Sequence, residues 1–170
     1  MALPYLACMI AVANFYHLPP RVLPSIQVVE GGWPGAVSMN TNGTADLGVM
    51  QVNTIWVPHL AGVAHMPREA VRERLIGDPC FNIAAAGVVL RIYLNEAGGD
   101  VVRAVGYYHS HRAEYSVPYQ YKVMGAAADL FSGQRAASAA RSRPLTVRER
   151  LRLGRAIARR EKGHAPAHRP

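Results

Sequence analysis

The sequence predicts a mainly α-helical single domain with a basic C-terminal tail, and three observations predict it. Proline and glycine punctuate runs whose apolar spacing is helical, and little of the chain shows the period-2 alternation of half-buried strands. Half of the 170 residues are hydrophobic, which suffices for one core in a chain too short for two ordinary domains. The charge is also segregated: residues 1–134 hold eight Lys and Arg against nine Asp and Glu, whereas residues 135–170 hold eleven against two. The formal net charge of +8 is therefore a property of the tail, and the part that folds is almost neutral.

Taken in order, the first helix is predicted over Pro4 to about Tyr16. It is apolar, but no Lys or Arg precedes Arg21, so it lacks the basic start of a secretory leader and reads as a core helix. A leader upstream, a non-standard export route and retention inside the cell all stay open. No stretch reaches the ~20 apolar residues needed to span a bilayer. Pro19 and Pro20 open a second helix, which Gly31 and Gly32 stop just after Glu30. Trp33 to Asp46 gathers Gly, Asn, Thr and Ser and reads as a long loop with a short extended pair, a type of segment that is often functional. Short helices are expected over Leu47 to Asn53 and Trp56 to Leu60, then one from Pro67 to Leu75 with Gly77 as its stop.

The strongest local signal follows. Asp78 stands at the N-cap and Pro79 at the first helical position of an Ala-rich run to about Asn95, the expected buried centre. Asp100 can cap a helix through Tyr108, and Pro118 opens another that ends near Gly133. Beyond Gln134 the composition turns to Ala, Arg and Ser. Thr146 and Glu149 form a capping-box pattern ahead of a basic stretch to Lys162, so a basic amphipathic helix between flexible ends is expected there. A solvated tail is favoured over a specific binding site, as for most charge runs.

Glu30 is the first residue with chemical promise. Leu23 and Ile26 precede it by seven and four residues, which places all three on one helical stripe and points the carboxyl inward. It sits in the last turn, where free carbonyls and the negative end of the helix dipole disfavour an anion, and burial disfavours it further. Both effects favour a protonated acid near neutral pH, the state a proton donor to a glycosidic oxygen needs. Alone, it would be one of many carboxylates that simply reach solvent.

Other residues invite plainer readings. Asp46 precedes Leu47 and is read as an N-cap rather than a second catalytic carboxylate. Trp33 lies in the loop directly after Glu30, whereas Trp56 reads as core. Met50, on spacing alone, is also more often core. His109 and His111 have no third ligand in view, and no metal or cofactor is assigned. Cys8 and Cys80 lie 72 positions apart without a CxxC partner, so a zinc site is disfavoured. A disulfide and two buried thiols both fit that count; closing such a loop would stabilise the fold by roughly 4 kcal/mol in an oxidising compartment.

Three separated pieces then fall into register: Glu30, the run Gly48-Val49-Met50-Gln51-Val52-Asn53, and Ala104-Val105-Gly106-Tyr107-Tyr108-His109. Together they resemble the lytic transglycosylases of the Slt and goose-type-lysozyme-like group, glycoside hydrolase family 23, in particular the small enzymes that accompany secretion and conjugation systems. The resemblance covers about residues 4 to 132. Tyr107 and His109 stand where Ala and Asn are usual in that family, and Gly31 stands where Ser commonly follows the catalytic Glu. The stretch Asn40 to Gly48, Asp78-Pro79-Cys80 with Asn82, and Cys8 resemble the secretion-associated subgroup, in which the two cysteines are expected to pair.

The resemblance implies a lysozyme-like domain over residues 1–134 with a substrate cleft. It also implies cleavage of the bond between N-acetylmuramic acid and N-acetylglucosamine in peptidoglycan. Glu30 is the catalytic residue it assigns. Met50, Gln51, Asn53, Tyr108 and Trp33 are the substrate-binding candidates, with Tyr108 holding Glu30 in place and Met50 forming an apolar wall. Peptidoglycan glycan strands are the expected partner, with a secretion or conjugation complex beside them and a periplasmic or envelope location. A monomer is expected. Nucleic acid is disfavoured, because no aromatic interleaves the basic residues of 135–170, and contact of that tail with a membrane surface is an alternative use of its charge. A lysozyme-type hydrolase and a non-catalytic wall-binding protein are the competing functions.

Overall fold

The computed structural model describes residues 3–142, with side chains through residue 132. The described chain is mainly α, as predicted, and runs α1 (Leu6–Phe15), α2 (Val22–Glu30), β1 (Val37–Met39), β2 (Ala45–Leu47), β3 (Val52–Asn53), a 3-10 turn (Thr54–Trp56), α3 (Val57–Ala64), α4 (Arg68–Gly77), α5 (Pro79–Glu96), α6 (Val101–His109) and α7 (Ala113–Ser142).

Helix α5 is the axis of the domain, and α1, α4 and α6 all pack on it. Its start is set by the predicted cap: the Asp78 carboxylate accepts from the Phe81 N–H at 3.0 Å and Pro79 needs no donor of its own. Ile83, Ala86 and Leu90 then bury one face against Met9, Leu23 and Ile26 within a single core cluster. Cys80, in the first turn, forms a disulfide with Cys8 of α1 across a Cα separation of 5.5 Å.

Two residues beyond Cys80, Asn82 is fully buried and uses its whole amide. Its Oδ1 accepts from the Met50 N–H at 2.8 Å, and its Nδ2 donates to the carbonyls of Leu47 at 2.8 Å and Leu75 at 2.7 Å. One side chain of α5 thus satisfies the turn after β2 and the end of α4. Gly48 lies between these bonds with φ of +67°, and a Cβ there would stand 2.1 Å from the Leu75 carbonyl oxygen. No other residue type fits that space.

This clamp explains one departure from expectation. Leu47 to Asn53 is not a helix; it is the end of β2, a tight turn and β3. Its apolar residues Leu47, Val49, Met50 and Val52 are all buried, which gives the run a helix-like composition, but its backbone partners are the Asn82 amide and neighbouring strands. The three strands form one antiparallel sheet in the order β1-β2-β3, with Ser38 opposite Asp46 and Asp46 opposite Asn53. The extended pair expected in the loop is β1 and β2.

Helix α7 also differs from its predicted bounds. It begins at Ala113, with Pro118 inside it, because the Arg112 carbonyl accepts from both Tyr115 and Ser116 and nucleates the helix before the proline is reached. So near a helix start, proline's missing donor removes a single intrahelical bond. Gly133 does not stop it either, since an internal glycine costs only about 1 kcal/mol relative to Ala. The described part of the chain forms a compact unit up to Phe131. The amphipathic helix expected near 146–162 lies outside the described residues.

Two stability measurements check these bonds. Asn82→Leu leaves the Met50 N–H and the Leu47 and Leu75 carbonyls buried without a partner, and at about 1–3 kcal/mol per orphaned group it should lower unfolding free energy by on the order of 4 kcal/mol in urea titration. Reducing the disulfide, or replacing both cysteines by Ala, should lower it by roughly 4 kcal/mol as the loop constraint is released.

Candidate active site

Glu30 is the last residue of α2, and the helix stops there because Gly31 turns left-handed, with φ of +61°, while its N–H still bonds the Gln27 carbonyl at 2.9 Å. Leu23 and Ile26, on the same stripe, are fully buried, so the carboxyl is carried inward as the periodicity predicts. It reaches the wall of a cleft of about 610 Å³, which is also lined by Asp46, Gln51, Asn53, Tyr108 and His109.

Among the described residues the carboxyl has one side-chain hydrogen-bond donor, the Tyr119 hydroxyl of α7, 2.5 Å from Oε1. Burial pushes the Glu30 pKa up to about 7 from an ordinary 4.5; the Tyr119 bond opposes the rise, and the nearby Asp46 charge adds to it. The Tyr119 phenol is itself pushed far up, by burial and by the Glu30 carboxylate beside it. A hydroxyl that holds its proton this firmly is a permanent donor to Glu30. The His109 ring lies parallel to Tyr119 with centroids 4.7 Å apart. Partial burial and the Lys122 ammonium hold His109 below its usual pKa, against the pull of Asp46.

The cleft also has a polar wall built on the sheet. Asp46 projects from β2 and is gripped on both oxygens, by Asn40 Nδ2 at 2.9 Å and Asn53 Nδ2 at 2.7 Å. Asn53 also receives the Ile55 N–H on its own oxygen and reaches Thr44, so it supports this wall with most of its amide. Gln51 has a left-handed backbone, φ of 48°, and its side chain is fixed between the Gly48 carbonyl at 2.8 Å and the Ser38 hydroxyl at 2.7 Å.

Four expectations need correction. Tyr108 donates its hydroxyl to the Met50 carbonyl at 2.9 Å; the partner of Glu30 is Tyr119. Met50 is 0% exposed, because the turn held by Asn82 directs it into the core, so it forms no wall for a sugar. Trp33 is 65% exposed and absent from the cleft lining, because its loop folds toward the end of α4, where Gly35 bonds the Ile76 carbonyl. Asp46 caps no helix, since no helix follows it. Tyr119 escaped the sequence reading. Ser116, Tyr119 and Val123 are buried on one stripe of α7, a helical spacing that marks Tyr119 as inward-facing but cannot say that it meets a residue 89 positions earlier.

Comparison with known proteins bears on this site. The family described as the transglycosylase SLT domain matches residues 7–116, a span that takes in Glu30, the Gly48 to Asn53 turn and Tyr108. The chain belongs to the transglycosylase SLT domain family. Similar proteins include Protein IpgF of Shigella flexneri, 30% identical over 96 residues, which are 56% of this chain and 59% of that protein. The Shigella sonnei Protein IpgF is 30% identical over 112 residues, 64% of this chain and 70% of that protein. Invasion protein IagB of Salmonella typhimurium strain SL1344 is 24% identical over 101 residues, 59% and 55% of the two. The chain therefore spans between 55% and 70% of the length of these relatives. Tyr119 of this SLT domain lies just beyond the matched residues.

The buried acid makes a prediction about stability. Folding raises the Glu30 pKa, so the folded chain holds this proton more tightly than the unfolded one; the contribution favours folding fully below about pH 4.5 and is lost as pH rises through about 7. Glu30→Gln, whose amide oxygen can still accept from Tyr119, should match the parent in urea midpoint near pH 4. It should exceed the parent at pH 8.

Proposed function

We propose that the chain is a peptidoglycan lytic transglycosylase that opens the cell wall locally for a secretion or conjugation apparatus, with Glu30 as its only acid and base. The observation that carries this reading is the Glu30 carboxyl in the cleft wall, raised to about 7 and oriented by Tyr119. A pKa near ambient pH suits a group that must give a proton and then take one.

In this mechanism protonated Glu30 donates to the glycosidic oxygen, and the bond from that oxygen to C1 of N-acetylmuramic acid breaks. The acetamido group of the same sugar stabilises the positive charge that develops at C1. The Glu30 carboxylate then removes the proton from the C6 hydroxyl, whose oxygen bonds C1 to give a 1,6-anhydro end and restores the acid. No second carboxylate acts as nucleophile, in contrast to most glycosidases. The relatives include one named an invasion protein, which supports the secretion role. The Cys8–Cys80 disulfide fits an oxidising compartment such as the periplasm.

Asp46 favours a second reading, a lysozyme-type hydrolase, because its carboxylate lies in the same cleft as Glu30. Mass spectrometry of digested peptidoglycan separates the two: anhydro ends for the transglycosylase, reducing ends for the hydrolase. Glu30→Gln should cut release of muropeptides by at least about 100-fold, the usual contribution of general acid–base catalysis. Equal release by parent and variant would refute catalysis by this chain. Activity of the parent should decline above about pH 7 as Glu30 ionises. Tyr119→Phe removes a bond that favours the carboxylate, so the basic limb of its profile should move to higher pH.

A further inference from the structure

The cleft also carries a set of rings that has no place in the proposed chemistry. Tyr107 of α6 and His111 lie nearly parallel, centroids 4.3 Å apart at 15°. Tyr93 of α5 meets both edge-on, at 6.2 Å and 5.2 Å, and Trp56 meets Tyr93 at 5.5 Å. All four line the cleft. Tyr93 is 9% exposed and serves as the base, while half of the His111 side chain is open to solvent and its Nε2 lies 2.9 Å from Glu96. The rings are thus fixed in plane by packing below and a hydrogen bond at the side.

We propose that this set is a carbohydrate-stacking platform that holds a sugar ring of the glycan strand away from the bond attacked by Glu30. A rigid stack of aromatic faces offers the apolar face of a pyranose a flat surface whose ordering is already complete. The polar residues around Asp46 line the same cleft. A cleft of about 610 Å³ exceeds the space one sugar ring fills, so a strand lying along it presents a further ring to the platform. The sequence supports the assignment, since Tyr107 supplies a large ring where the resembling enzymes usually carry Ala. The inference rests on the proposed reading of the cleft as a glycan site, and adds to it the group that selects for strand length.

The test uses chitooligosaccharides of two to six N-acetylglucosamine units, binding to full-length Glu30→Gln so that no turnover intervenes. Trp56 is the fluorescent reporter once Trp33, the other tryptophan, is changed to Phe. Tyr107→Ala and His111→Ala should each weaken hexamer binding by about fivefold, the size of one aromatic contact, and leave the disaccharide unaffected. His111→Phe, which keeps an aromatic ring and discards its nitrogens, should retain hexamer affinity. Unchanged hexamer binding in His111→Ala would overturn the platform, even if the less exposed Tyr107→Ala loses affinity through its fold. Loss of affinity in His111→Phe would overturn it too, by showing the imidazole nitrogens to be the determinant. The two readings fail separately: peptidoglycan turnover with no ring dependence removes only the platform. Ring-dependent binding by a chain that releases no muropeptide removes only the enzyme.

Discussion

The amide of Asn82 is the constraint on which the site depends. It is buried, and its three bonds reach the turn after β2 and the end of α4, segments that have no regular ladder at those atoms. In an interior of low dielectric, a network of this kind is strong when complete and costly when broken. What it fixes propagates outward: the Met50 N–H is tied to Asn82 and the Met50 carbonyl to Tyr108, so one peptide turn joins α5 to α6. The Gly48 carbonyl then holds Gln51, and β2 and β3 are left in the register that puts Asp46 beside Asn53. The cleft wall is the exposed side of this arrangement.

Glu30 is held by a different balance. Its backbone position follows from helix termination, but its protonation follows from burial set against a single hydrogen bond from Tyr119 and a carboxylate across the cleft. None of these three influences comes from its own helix alone. The acid is therefore a product of packing between α2, α7 and the sheet, and substitutions in any of them reach it without touching it.

This division explains what could be read from the chain. The inward stripe ending at Glu30, the Asp78 and Asp100 caps, and the Ala-rich central helix are local patterns, and all are seen in the structure. The turn at Gly48 to Gln51 was not legible as a turn, because its apolar residues mimic a short helix and its satisfying amide lies 32 to 35 positions later. Met50 followed the same logic, since the clamp decides which side of the turn faces the core, whereas Trp33 was placed by the bond of Gly35 to Ile76. Tyr108 and Tyr119 are the clearest case. Both are tyrosines on inward faces of helices, and only the fold decides which one meets the carboxyl. The pairing of the cysteines was implied by family resemblance, since their spacing alone admitted both answers.

The bonds that complete the site span long stretches of chain: 58 residues from Met50 to Tyr108, 72 from Cys8 to Cys80 and 89 from Glu30 to Tyr119. Each closes a large loop, whose entropy must be lost before the contact repays it. In a molecule emerging from the ribosome in sequence order, the helix that carries the acid is made early and stays without its partner until α7 has begun. The acid therefore gains its orienting hydroxyl only after the chain has been made through Tyr119.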